Sequence, residues 1–235
     1  MNPTLRAFRK EIPDQERDEK SGRRAIDLGE GSELVYVPRF LPPDRSWTLF
    51  DYLNEEIPWT RPTIRVFGRA CLQPRDTCYI ADQGLPALQY SGYQPHAHPW
   101  DDYPPLKEIL GVHEALPGSS FNSLLLNRYK GGSDYVAWHA DDEKLYGHDP
   151  EIASVSLGCE RDFLLRKKKM KKPPITAPHG KRPRENCPDQ HSLVLKHGSL
   201  LVMRGCTQRD WLHSIPKRAK AGSIRINLTF RQVQK

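Results

Sequence analysis

The clearest hydrophobic pattern lies near the C-terminal end of the chain. Ile224, Ile226, Leu228 and Phe230 alternate there with Arg225, Asn227, Thr229 and Arg231. Successive strand side chains point to opposite faces, so this segment predicts a strand with one apolar side and one side of cations and hydrogen-bonding groups. Short runs of β-type composition recur upstream, at 121–129, 152–158, 163–166, 192–195 and 199–203, with Gly, Pro or charged turns between them. Leu34 to Val37 predicts one more strand. Helical spacing is confined to two places. Trp47, Phe50, Leu53 and Ile57 follow Pro42-Pro43-Asp44, with Asp44 as a candidate N-cap and Pro58 as the stop. Pro105 to Ala115 predicts a second helix, with Leu106, Ile109, Leu110 and His113 on one side. Residues 1–31 show no hydrophobic period and are expected to be a disordered tail. The remainder, 32–235, is expected to form one α+β domain: an antiparallel double sheet with helices packed on one face.

Composition sharpens this only in places. A chain of 235 residues with 37% hydrophobic content suits a single core. No apolar run approaches the roughly 20 residues of a membrane helix, so no membrane partner is expected. The N-terminal stretch lacks the apolar centre of a secretory signal. The five cysteines, Cys71, Cys78, Cys159, Cys187 and Cys206, include no C-x-x-C pair, which argues for free thiols over a disulfide framework or a structural zinc. Charge is more informative. Arg166 to Arg184 holds nine Lys/Arg residues and no acid, while the other 27 basic and 29 acidic residues nearly cancel. With Pro173, Pro174, Pro178 and Pro183 inside it, the stretch reads as a basic loop over 166–190. It suits a grip on nucleic-acid phosphates, a nuclear import signal or both, against the plainer reading of a solvated charge run.

Two of the nine histidines stand in chemically suggestive places. In His139-Ala140-Asp141, an imidazole and a carboxylate two residues apart share one face of an extended segment. His213 follows 74 residues later. Two histidines and one carboxylate leave open positions on an octahedral ion, as non-haem Fe(II) needs for oxygen, whereas zinc more often takes three protein ligands and one water. An iron site that uses 2-oxoglutarate also needs a fixed cation for the far carboxylate of the keto acid. Arg225 and Arg231 follow the last histidine closely, and an arginine fork matches a carboxylate bidentately. Asn127 and Tyr129 share one face of an upstream strand and could bind the same co-substrate.

These residues sit in stretches that resemble the AlkB family of Fe(II)- and 2-oxoglutarate-dependent DNA repair dioxygenases, closest to the homologues that act on duplex DNA. The stretches are 121–129 (FNSLLLNRY), 138–143 (WHADDE), 152–158 (IASVSLG), 211–216 (WLHSIP) and 225–231 (RINLTFR). The resemblance is ordered and runs from about Leu34 to Val233. It implies a double-stranded β-helix (jelly-roll) core with an N-terminal nucleotide-recognition lid, its hairpins at about 60–95. It implies His139, Asp141 and His213 as iron ligands, Asn127, Tyr129, Arg225, Thr229 and Arg231 as 2-oxoglutarate contacts, and Asp142 beside the substrate base. Phe67, Gly68 and Arg69 resemble a base-replacing hairpin, with Phe67 filling the gap left by the extruded nucleotide. Tyr90 fits one of two aromatic positions of the lid, where Leu88 or Gln89 stands at the other.

The resemblance further implies a reaction. Fe(II), 2-oxoglutarate and O2 together oxidise an N-methyl group on 1-methyladenine or 3-methylcytosine, giving succinate, CO2 and formaldehyde and restoring the base. A lesion on the Watson–Crick edge must be flipped out of the duplex to be reached. The expected partner is therefore DNA, chiefly double-stranded, met by a monomer in the nucleus. The alternatives are the same iron chemistry on RNA or protein, or a non-catalytic DNA-binding module.

Overall fold

The computed structural model describes residues 22–66, 68–110, 119–169 and 189–235. Fourteen strands and three α-helices occur among them. In chain order they are β1 (Arg24–Gly29), β2 (Ser32–Val37), α1 (Pro43–Glu56), β3 (Thr63–Val66), β4 (Arg69–Leu72), β5 (Asp76–Ala81), β6 (Ala97–His98), α2 (Pro104–Leu110), β7 (Ser123–Tyr129) and β8 (Val136–His139). There follow β9 (Ile152–Gly158), β10 (Arg161–Lys167), β11 (Gln190–Leu195), β12 (Ser199–Gly205), α3 (Thr207–Asp210), β13 (Trp211–Ile215) and β14 (Arg225–Arg231).

The strands build a major sheet, ordered β1-β2-β12-β9-β14-β7-β5-β6, and a minor sheet, ordered β11-β10-β13-β8. A separate hairpin pairs β3 with β4. Every pairing is antiparallel except that of β5 with β6.

Alternation sorts the major sheet's side chains into two buried layers. Leu124, Leu126, Val155, Leu157, Leu200, Val202, Ile226, Leu228 and Phe230 pack with Leu49 and Leu53 of α1 and with Leu106 and Ile109 of α2. The opposite face sends Leu34, Tyr36, Tyr129, Leu201 and Met203 toward Phe163, Leu165, Leu195 and Trp211 of the minor sheet. The helices thus cover one face and the minor sheet covers the other, as the strand pattern predicted. Strand β14 lies inside both layers, and all seven of its residues are buried.

Several local expectations are corrected. The proposed tail ends earlier than residue 31: Arg24–Gly29 forms β1, paired with β2, and Leu28 is wholly buried. Its apolar content is too short to show a period, and the pairing supplies the order. Residues 1–21 lie outside the described residues. Pro42, not Asp44, occupies the N-cap of α1; Pro43 sits at the helix start, where a missing N–H is tolerated, and Asp44 lies in the first turn. Trp47 turns to solvent, 49% exposed and stacked on His197, while Leu49 takes the core position beside Leu53. The second helix begins at Pro104 and is described to Leu110, so the expectation for 111–115 lies outside the described residues. At the basic loop, Arg166 and Lys167 belong to β10 and Gln190 to β11. Residues 170–188 lie outside the described residues. No described helix is long and apolar enough to cross a membrane.

The burial of Leu28 makes β1 a working part of the core. Leu28→Ala is expected to lower unfolding free energy by about 2–4 kcal/mol, the usual cost of emptying a packed leucine site. The shift of the urea denaturation midpoint checks this, and an unchanged midpoint would return residues 22–31 to the tail.

Candidate active site

Strands β8 and β13 are neighbours in the minor sheet, and their register sets His139 opposite His213. The two rings lie 4.2 Å apart between centroids. Asp141 follows just after β8, with its Oδ1 3.9 Å from Nε2 of His139. One donor atom from each of His139, Asp141 and His213 lies within 4.8 Å of the others, close enough to share one ion. This is the one such group of three among the described residues.

Surrounding groups orient these donors. Nδ1 of His139 lies 2.9 Å from the carbonyl oxygen of Ala137; donating there leaves Nε2 as the ligand atom. Phe163 stacks on His213 at 5.4 Å. The Asp141 amide donates to Oε1 of Gln208 at 2.9 Å, a contact between the loop after β8 and helix α3. Arg231 donates Nη2 to Oδ1 of Asp141 at 3.0 Å, and both side chains are only 7% exposed.

Protonation states follow from these neighbours. Burial depresses both imidazoles, His213 to about 3; His139 lowers His213 further, and Arg75 and Arg231 lower His139. Burial would raise the Asp141 carboxyl, but Arg231 and the two imidazoles outweigh it and hold it well below the usual carboxylate range. At neutral pH the set is two neutral imidazoles and one carboxylate, which is the state a divalent metal requires. Glu143 differs: burial and the Asp141 charge push its carboxyl up.

The inner face of β14 and β7 forms the neighbouring floor. Arg225 is 1% exposed and donates Nη2 to Oγ of Ser156 at 2.9 Å. Its Nε and Nη1 are buried and make no well-formed hydrogen bond among the described residues, although the Tyr129 side chain also supports the cation. Buried charged donors left unpaired are costly, and two on one guanidinium mark a place for an anion such as a carboxylate. The ring of Tyr129 lies between two cations, 5.0 Å from Arg225 and 5.4 Å from Arg161. Thr229 donates to Oδ1 of Asn227 at 3.0 Å, and Asn227 donates to Oγ of Ser154 at 2.8 Å. Asn127 accepts from Nε of Arg75 at 2.6 Å. The residues therefore fit an Fe(II) ion beside a dicarboxylate. Arg231 gives Nη2 to Asp141 and keeps a buried Nε without a hydrogen-bond partner among the described residues, so both guanidinium groups retain donors, Arg225 the more.

The remaining expected residues are more dispersed. Gly68 lies in the two-residue turn between the paired Val66 and Arg69, with φ +78°, and Arg69 is exposed. Phe67 lies outside the described residues. Tyr90 donates its hydroxyl to Oε1 of Gln73 at 3.3 Å and pairs with Tyr93. Leu88 is 2% exposed and packs with Tyr79, Leu125 and Val233. Asp142 contacts Lys168. Three neighbours of the site escaped the sequence reading: Arg75, Lys168 and Gln208. Asn227 was read on the polar face of the last strand, between Arg225 and Thr229, though not as a co-substrate contact. The others are joined to the site by tertiary contacts with no local pattern.

Comparison with known proteins places this geometry. Residues 33–231 match the sequence model of the 2OG-Fe(II) oxygenase superfamily. The chain is 68% identical over 218 residues to the DNA oxidative demethylase ALKBH2 of Arabidopsis thaliana, covering 90% of this chain and 69% of that protein. Human ALKBH2 is 36% identical over 207 residues, covering 87% and 74%. The human alpha-ketoglutarate-dependent dioxygenase alkB homolog 3 is 36% identical over 208 residues, covering 86% of this chain and 66% of that protein. The solved structure of OsALKBH1 superimposes with a TM-score of 0.53 at 18% identity, covering 85% of this chain and 97% of that one, a likeness of fold. The chain belongs to the 2OG-Fe(II) oxygenase superfamily, in the branch that holds the AlkB-like dioxygenases.

Proposed function

We propose that this protein repairs alkylated DNA by oxidative demethylation, with 1-methyladenine and 3-methylcytosine as substrates and formaldehyde as the released fragment. One observation carries the reading. A His–Asp–His donor set stands in the same chain as a buried arginine with two unspent donors, and that chain is 68% identical over 218 residues to a DNA oxidative demethylase. Superfamily members use Fe(II), 2-oxoglutarate and O2. In this reading His139, Asp141 and His213 hold the iron. Arg225 takes the far carboxylate of 2-oxoglutarate, with Asn127, Tyr129, Thr229 and Nε of Arg231 lining the co-substrate site, while Nη2 of Arg231 holds Asp141 in its charged, oriented state. Bound iron and co-substrate supply the oxidation of the N-methyl group by O2. The chain itself binds, aligns and encloses the reacting groups.

The substrate side follows from the same chemistry. A methyl group on the Watson–Crick edge is reached only when the base leaves the stack. In the sequence Phe67 and Gly68 fall between β3 and β4, with Arg69 opening β4, and an apolar ring inserted between base steps recovers part of the lost stacking. Together with Tyr90 this region serves as the lid, and Asp142 reads the flipped base. The substrate is duplex DNA, the working species a monomer, and the place of action the nucleus. The concentration of positive charge between Arg166 and Arg184 supports both the phosphate grip and the address.

A formaldehyde-release assay on methylated oligonucleotides, single-stranded and duplex, DNA and RNA, tests the reading. Product should appear from methylated duplex DNA only with both Fe(II) and 2-oxoglutarate. Equal or faster release from RNA would change the substrate class. No 2-oxoglutarate decarboxylation with any methylated oligonucleotide would leave a binding module.

Two substitutions test the assigned roles. His139→Ala and Asp141→Ala should each abolish demethylation while duplex affinity, measured by fluorescence anisotropy, largely survives; full activity in either variant removes the iron assignment. Arg225→Lys keeps a cation but loses the fork. Its KM for 2-oxoglutarate should rise roughly 10- to 100-fold, the worth of a buried charge-assisted contact, when succinate formation is followed against co-substrate concentration.

A further inference from the structure

Lys168 stands apart from the charge run in which it occurs. It directly follows β10, and its amide donates to the carbonyl of Asp210 at 2.7 Å. Its Nζ donates to Oδ2 of Asp142 at 3.1 Å and to the carbonyl of Gln208 at 2.9 Å. Gln208 is 1% exposed. Besides accepting from the Asp141 amide, its side chain donates to Sδ of Met203 at 3.3 Å. The ammonium is therefore anchored on a buried residue that also fixes the backbone of a proposed metal ligand.

Asp142 has no comparable support. Its side chain is 63% exposed, and Lys168 is the one hydrogen-bond donor to its carboxylate among the described residues. An aspartate so exposed samples several rotamers unless a neighbour selects one. An ammonium held in place by a backbone carbonyl makes that selection. It occupies Oδ2 and leaves the second oxygen to accept from a base. Two of the three ammonium donors are already used inside the protein, so Lys168 is poorly placed to serve as a phosphate contact.

We propose that Lys168 is a positioning residue for substrate recognition: anchored on Gln208, it orients the Asp142 carboxylate toward the exocyclic amino group of the flipped base. This rests on Asp142 reading that base.

The experiment uses the full chain with Fe(II) and 2-oxoglutarate, a methylated duplex for turnover and the unmethylated duplex for binding. Lys168→Ala should raise KM for the methylated duplex about fivefold, the scale of one half-exposed charged contact, with little change in kcat. Affinity for the unmethylated duplex and its salt slope should stay as in the wild type. Lys168→Arg should restore most of the lost recognition. In an Asp142→Asn background, Lys168→Ala should add nothing, because the two residues act as one unit. Additive effects would overturn the proposal. So would equal weakening on methylated and unmethylated duplexes with a shallower salt slope, the mark of a phosphate contact. An unimpaired Lys168→Ala beside an impaired Asp142→Asn refutes the orienting role alone. An unimpaired Asp142→Asn refutes the reading of Asp142, and the orienting role falls with it.

Discussion

Two guanidinium groups sit on the inner face of one strand, between two packed sheets, and the rest of the site is arranged around that burden. Burying a cation without a partner is prohibitive, so such groups survive only when paired or reserved for a ligand. Arg231 is paired: its contact with Asp141 keeps one residue cationic and the other anionic in a place where burial alone would neutralise the acid. Arg225 is only partly satisfied, by Ser156 and by the face of Tyr129. The energetic cost of β14 thus becomes a binding capacity. The same strand holds the ligand carboxylate at one end and unspent donors at the other.

The double-layer construction makes this possible. Because β14 lies between β9 and β7, its apolar residues disappear beneath α1 and α2 and its polar residues face the minor sheet. The minor sheet answers with His139 and His213 in direct register. Neither sheet contains the site by itself. Antiparallel pairing fixes which residues face one another, and a one-residue slip in β14 or β13 would send the arginines into the helical layer or turn His213 away. The small helix α3 adds a cross-brace through Gln208, which reaches the loop carrying Asp141.

Much of this was legible in the residues themselves. Strict alternation in β14 announced both its faces, and the H-x-D spacing with a later histidine announced the donor set, because those features are local or repeat at short period. The strand bounds at 152–158 were equally plain, being bracketed by turn residues. What escaped has a common cause. Leu28 is buried because β2 pairs with its strand, not because its own neighbours alternate. Trp47 looked like a core residue by spacing, yet the helix face toward the sheet is set by Leu49 and Leu53, and the tryptophan finds His197 outside. Trp138, beside His139 on β8, lies open beneath Arg166 at 4.3 Å, because it alternates with the inward His139. Lys168 was indistinguishable from the lysines beside it until Gln208 and Asp142 came within reach. Charge composition records a cation's presence but not its partner.

The pairing of β10 with β11 has an evolutionary consequence. Arg166 lies opposite Gln190, so the two ends of the basic segment are held side by side by a ladder of backbone hydrogen bonds. Length added between fixed ends costs only about 0.6 kcal/mol per doubling, and His213 on β13 and His139 on β8 both lie on the far side of β10 from β11. Descendants of this chain can therefore change the length and sequence between Lys169 and Asp189 while the ladder that holds β10 beside β13, and Lys168 beside Asp142, stays unaltered.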